Sequence, residues 1–176
     1  MGLGRDYTGQ DCSLARALEL VGERWTFLII RDAFYGVRRY SDFLSHLGIP
    51  RAVLAERLQV LTGGGVLDRR RYQEAPARDE YLLTEAGLQL WAPLYTLAQW
   101  GEEHRSNGGA RRIFEHAPCR STLDRLGLCP SCGTNPPPEQ IEVRPGPGAA
   151  TPGADDPVGR ALQRPHTLLQ PLPTTG

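Results

Sequence analysis

Between Arg38 and Arg71 the polar and apolar positions form a short amphipathic segment, a Gly48-Ile49-Pro50 corner, a longer amphipathic segment and a glycine break into an arginine-rich run. Tyr40, Phe43, Leu44 and Leu47 recur at three- and four-residue spacing, which predicts a short helix. After the corner, Val53, Leu54, Leu58 and Leu61 face inward at helical spacing, leaving Arg51, Ala52, Ala55 and Glu56 outside near the N-terminal end. Pro50 suits the first turn of that helix, where its missing N–H costs nothing. Gly63-Gly64-Gly65 ends the helix, Val66 to Tyr72 reads as a strand, and Arg78 to Leu83 returns as its partner after a Gln-Glu-Ala-Pro-Ala turn. Strand alternation sends Arg69 and Arg71 to one face of this hairpin and Arg70 to the other.

The flanking pattern supplies the rest of the domain. Leu14, Leu18 and Val21 predict a helix over 12–21 with one buried stripe, stopped by Gly22. Trp25, Phe27, Leu28, Ile29 and Ile30 encircle a second helix running to about Phe34, so it should be buried on nearly all sides, with Trp25 as a core anchor. Gly36 breaks it. Thr84 is placed to cap a long helix from Glu85 to about His104, in which Pro93 should cause a kink. Leu90, Leu94 and Leu97 form one apolar row on that helix, and Trp91, Tyr95 and Ala98 a second. Two rows exceed what a small domain covers, and a homodimer interface is the expected use of the surplus, against the alternative of folding back on the first helix.

The expected fold class is α+β, mainly α with a small β-hairpin wing: a winged helix-turn-helix, followed by a small C-terminal zinc-ribbon-like module and a disordered tail. The boundaries read as 11–105 for the winged domain, 106–112 for a linker, 113–143 for the Cys/His module and 144–176 for the tail, whose scattered Pro, Gly, Thr and Asp show no apolar period.

Charge changes the picture by its placement. The 20 basic residues are all Arg and are balanced by 20 acids, yet between positions 38 and 78 basic residues exceed acidic ones by four. Arginine forks onto phosphate or guanine as lysine cannot, although solvated charges on a protein from GC-rich coding remain the plain alternative. A braced helix, a corner, a second helix and a basic hairpin are the parts that enter a DNA major groove and touch the phosphates beside it. Arg38, Arg39 and Tyr40 are candidate phosphate contacts and Arg51 the candidate base reader. Arg57 is either a DNA contact or a local ion pair, and Arg70 and Arg78 are wing contacts.

The late cysteines form a second constellation. His116-x-x-Cys119 and Cys129-Pro-Ser-Cys132-Gly133 are two pairs at knuckle spacing, enough for a tetrahedral Cys₃His site holding structural zinc with no open coordination position. A redox dithiol or unligated thiols are the alternatives. No phosphate loop, nucleophile elbow or His-Glu-x-x-His is present, so the reading is not an enzyme. The longest apolar run, Trp25 to Ile30, is far short of the ~20 residues a bilayer span takes, and the opening MGLGRDYTGQDC lacks the pattern of a secretory signal; a cytoplasmic setting with no membrane partner is expected.

The stretches GERWTFLIIRDAFYGVRRYSDF, LGIPRAVLAERLQVL, GVLDRRRYQEAPARDEYLLTEAGLQLW and QWGE resemble the HxlR-type bacterial winged helix-turn-helix transcriptional regulators. The resemblance covers about residues 11–105. It implies a homodimer with paired wings on double-stranded DNA, a recognition helix near Pro50 to Leu61, and repression or activation of neighbouring genes. It also implies that Cys12 matches a cysteine with which some relatives sense electrophiles or oxidants. Asp11 beside Cys12 and the start of the helix act on thiolate character in opposite directions, and an inert buried thiol is the alternative. Two departures stand out: Ala52 replaces a frequent Asn that can pair with adenine, which leaves Arg51 as principal base reader, and the glycine triplet replaces a more helical sequence before the wing. A pseudo-palindromic operator is expected. The reading from a different class is a winged-helix and zinc-ribbon module that binds protein and lacks specific DNA binding.

Overall fold

The computed structural model describes Tyr7 and residues 9–174. Most of the opening stretch read for a signal, and the last two residues of the tail, lie outside the described residues. The winged domain runs α1 (Ser13–Val21), α2 (Thr26–Phe34), α3 (Tyr40–Leu47), α4 (Arg51–Gly63), β1 (Leu67–Gln73), β2 (Arg78–Leu83), α5 (Glu85–Leu88) and α6 (Trp91–Arg105). Its core centres on α2, with Ile29, Ile30 and Phe34 packed in one cluster with Phe43 of α3 and Leu54, Leu58 and Leu61 of α4. β1 and β2 pair antiparallel, with Arg69 opposite Tyr81, Arg70 opposite Glu80 and Arg71 opposite Asp79. Among the described residues no helix is long and apolar enough to cross a membrane.

Four expectations are corrected inside this domain. On α1 the buried positions are Ala15 and Val21, while Leu14 and Leu18 are exposed. The helix packs on α4, and the Leu14–Leu18 stripe points away from the described chain. The long helix after Thr84 is interrupted at Gln89 and Leu90, giving α5 and α6. Thr84 does cap, its Oγ1 accepting the Gly87 N–H at 3.1 Å. Pro93 therefore falls in the first turn of α6, where no helical acceptor awaits its absent N–H, and the expected kink has no cause. Leu94 and Tyr95, assigned to a dimer face, are buried within the chain. Phe34, Trp91, Tyr95 and Phe114 make an aromatic cluster with ring centroids 5.2–5.6 Å apart. Most of the second row on α6 is thus spent on the chain's own next segment; Leu97 and Ala98 stay exposed.

That segment is larger than a knuckle. β3 (Arg112–His116), β4 (Ser121–Thr122), β5 (Ile141–Pro145) and β6 (His166–Thr167) form an antiparallel sheet in the order β4-β3-β5-β6, with α7 (Pro157–Ala161) before its last strand. The tail expected to be disordered is folded through Thr174 and returns to the winged domain. Val158, Leu162, Leu168 and Leu172 are all buried. The Leu169 N–H donates to the Phe34 carbonyl at 2.7 Å, and the Leu172 N–H to the Gly36 carbonyl at 3.3 Å. Gly36 has φ +86°, and a Cβ there would stand 1.7 Å from the Gln170 carbonyl oxygen. The glycine that ends α2 is therefore also what lets the returning tail approach.

Candidate nucleic-acid interface and metal centre

The corner geometry places α4 with its first turn free. Gly48 takes a left-handed conformation, φ 59°, that closes α3, and α4 starts at Arg51 directly after Pro50. Tyr40 Oη donates to the Arg51 carbonyl at 2.9 Å, so Tyr40 braces the start of α4. Arg51, Ala52, Ala55 and Glu56 are exposed there, on the face opposite buried Leu54 and Leu58. Arg57 pairs with Glu56, the local alternative.

The remaining arginines divide by partner. Arg39 is exposed and lies over the Tyr72 ring at 5.2 Å, which links α3 to the wing. Arg38 is half-buried and donates to the Leu169 carbonyl at 3.0 Å, so the returning tail engages a side chain assigned to phosphate. On the wing, Arg69 and Arg71 both bond Asp79, and Arg70 Nε bonds Glu80 at 2.9 Å, as the strand alternation requires. Hydrogen bonds from Arg71 and Arg69 hold the Asp79 carboxyl below its ordinary value. Arg78 is exposed at the start of β2. Counting Asp79 and Glu80, which lie just past position 78, the local excess of basic residues falls from four to two. Those two acids were the functional residues hardest to see, because only the β1–β2 register puts them opposite the arginines.

Cys12 is exposed at the N-cap of α1, so within the single chain the thiol is not buried.

His116, Cys119, Cys129 and Cys132 converge, their ligand atoms all within 4.8 Å of one another. His116 Nδ1 is 3.3 Å from Cys119 Sγ and 3.4 Å from Cys132 Sγ, and Cys119 Sγ is 3.5 Å from both other sulfurs. A tetrahedral zinc ion with ordinary ligand bonds has S–S edges of about 3.8 Å and S–N edges of about 3.5 Å, so this donor set could hold a metal ion after small adjustments. Gln140 Oε1 lies 3.2 Å from His116 Nε2 and orients the ring with Nδ1 toward the sulfurs. Burial raises the Cys129 thiol, but the Cys132 amide, the neighbouring thiols and His116 outweigh it and hold Cys129 at about 6. Cys119 and Cys129 push Cys132 up to about 11. Both pairs end in a left-handed residue: Gly133 at φ 66° and Arg120 at φ 57°. The first pair thus makes a knuckle turn without glycine, its Arg120 N–H bonding the His116 carbonyl at 2.8 Å as the Gly133 N–H bonds that of Cys129.

Comparison with known proteins agrees with the geometry. The chain is 45% identical over 138 residues to an uncharacterized HTH-type transcriptional regulator of Mycobacterium tuberculosis (strain ATCC 25618 / H37Rv), Rv3095, covering 77% of this chain and 87% of the relative. It is 29% identical to the HTH-type regulator YdeP of Bacillus subtilis (strain 168), over 70% of this chain and 96% of the relative. Among solved structures, PA1607, a candidate transcription factor, superposes with a TM-score of 0.55 at 29% identity, over 85% of this chain and 94% of that one. The redox regulator HypR in its oxidized form superposes with a TM-score of 0.51 at 27% identity, over 54% of this chain and 99% of that one. Residues 20–108 match the HxlR-like helix-turn-helix family. The chain belongs to the HxlR-like helix-turn-helix family of DNA-binding transcriptional regulators.

Proposed function

We propose that the protein acts in the cytoplasm as a homodimer on a pseudo-palindromic operator, α4 reading bases through Arg51 and the wing and α3 contacting phosphate. The observation that carries this reading is the exposed first turn of α4, held by Tyr40 beside a wing that still offers Arg78 and, through Tyr72, Arg39. Dimerisation is supported by large apolar side chains left open on the first and last helices of the winged domain: Leu14 at 65%, Leu18 at 38%, Leu97 at 52% and Trp100 at 51% exposure. Cys12 is proposed as a redox-sensing thiol; it is exposed, and HypR supplies a redox-regulating structural relative. Zinc is the proposed occupant of the Cys₃His cluster, where it would lock the two knuckles without taking part in chemistry.

A duplex from the protein's own upstream region, titrated at two salt concentrations against competitor duplex, tests the operator reading. Arg51→Ala should flatten the preference for the operator, since one bidentate guanine contact discriminates by roughly 1–3 kcal/mol. Arg39→Ala should weaken all duplexes alike and reduce the salt slope. Equal loss of specificity from both changes refutes this division of labour. Affinity that ignores salt and sequence favours the protein-binding module instead.

A further inference from the structure

Residues 169–174, Leu-Gln-Pro-Leu-Pro-Thr, carry no charge and lie against the start of α3. Arg38 Nη2 donates to the Leu169 carbonyl at 3.0 Å, and the Thr174 hydroxyl donates to Asp42 Oδ2 at 2.8 Å. Pro171 to Thr174 share a cleft of about 340 Å³ with Arg38, Arg39 and Asp42, and with Glu80 of β2. α3 and the wing meet there, the Tyr81 N–H donating to the Arg38 carbonyl at 2.8 Å. In a helix-turn-helix the helix before the recognition helix crosses the DNA backbone, so a sugar–phosphate strand would pass this junction.

The segment is held more lightly than the tail before it. Leu168 is 1% exposed, and its N–H bonds the Ile141 carbonyl at 2.9 Å, which ties it to β5. Beyond Leu168 two backbone N–H groups reach the winged domain, Leu169 to the Phe34 carbonyl at 2.7 Å and Leu172 to that of Gly36 at 3.3 Å. The second is longer than an ordinary amide bond. Pro171 and Pro173 have no N–H to offer. Leu169 stands at φ 66°, a left-handed conformation disfavoured for a residue with a Cβ. Leu172 is the buried side chain of the segment. Few bonds, a strained residue at the root and one apolar anchor put these residues at the low-stability end of the fold, able to open without the sheet.

We propose, on the reading of α3 and the wing as the phosphate-contacting face, that residues 169–174 are an autoinhibitory strap: docked, they occupy Arg38 and the junction of α3 with the wing, and DNA displaces them. A guanidinium bonds an anionic phosphate oxygen roughly twice as strongly as a neutral carbonyl, so a duplex outcompetes Leu169 for Arg38. With the strap docked in most free chains, apparent DNA affinity falls in proportion to the undocked fraction.

Amide hydrogen exchange and duplex titration of the full chain test the strap, using the duplex from the protein's own upstream region and an unrelated duplex at low salt. The Leu169 and Leu172 amides should be protected in the free chain and lose protection when either duplex saturates it. Ending the chain at Gln170 should tighten both duplexes about fivefold or more, with far-ultraviolet circular dichroism as in the parent. Thr174→Val keeps the side-chain shape and removes the donor to Asp42; it should tighten them about threefold, and it decides the matter if the shortened chain does not fold. Equal or weaker binding by the variants, or amides as protected with duplex as without, overturns the strap while DNA binding stands. Absence of duplex binding in the parent and both variants refutes the phosphate-contacting reading, and the strap with it.

Discussion

Replacing Leu168 by Ala measures whether the returning tail is part of the folded body. Leu168 is 1% exposed, in one cluster with Ile141, Val143, Val158 and Leu162, and its N–H donates to the Ile141 carbonyl at 2.9 Å. Truncation of a fully buried leucine costs about 2–5 kcal/mol, the upper end applying where neighbours cannot close the cavity. Here the neighbours sit on β5 and α7, held by sheet pairing and by the Asp156 cap of α7, so little collapse is expected. With a urea slope of roughly 2 kcal/mol/M, that loss moves the unfolding midpoint down by roughly 1–2.5 M. Urea titration followed by far-ultraviolet circular dichroism at fixed protein concentration reads it, the concentration being held because dimerisation would shift the midpoint. A disordered tail would give a change below about 0.5 kcal/mol, as at ordinary surface sites. A shift that small, with Leu162→Ala equally silent, refutes the reasoning.

Three further outcomes are expected. Purified without chelator, the protein should carry about one zinc per chain, and Cys132→Ser should lose it and lower thermal stability; a metal content near zero in the parent overturns the structural site. Arg120→Gly should raise stability by up to about 1 kcal/mol, because a non-glycine residue in the left-handed region costs about 1–2 kcal/mol and glycine returns part of that as unfolded-state entropy; a loss in thermal unfolding temperature would contradict this account of the first knuckle. The Asp79 carboxyl is depressed by Arg71 and Arg69, so its contribution is present above the ordinary carboxylate value and lost as pH falls through the depressed one. Asp79→Asn should flatten that acid limb for the wing amides in hydrogen exchange, and an unchanged limb would show that the ion pairs do not order the wing.

The sequence by itself determined the order and type of the elements from Gly22 to Leu83, because each announces itself within a few residues. Helical spacing in Tyr40 to Leu47 and Val53 to Leu61, the Gly48-Ile49-Pro50 corner and the glycine triplet are short-range signals that need no partner. The Cys/His pairs are local in the same sense: a turn of x-x spacing aims both ligand atoms at one point, and only the meeting of His116/Cys119 with Cys129/Cys132 was left to the fold. What the tertiary structure alone decided is which apolar surface is covered, and by what. Leu14 and Leu18 have the spacing of a core stripe and are exposed; Leu94 and Tyr95 look surplus and are buried, Tyr95 against Phe114, which lies beyond a glycine linker. The tail was unreadable because Val158/Leu162 and Leu168/Leu172 are two isolated four-residue spacings among Pro, Gly and Thr, too short to announce an element. Leu168 and Leu172 are held by backbone bonds to Ile141 and Gly36, and Leu169 between them by one to Phe34, all more than 20 residues away. Arg38 follows from this: its sequence neighbourhood reads as phosphate-binding, and a carbonyl 131 positions later sets its partner. Local periodicity names an element, and burial is a property of the whole chain.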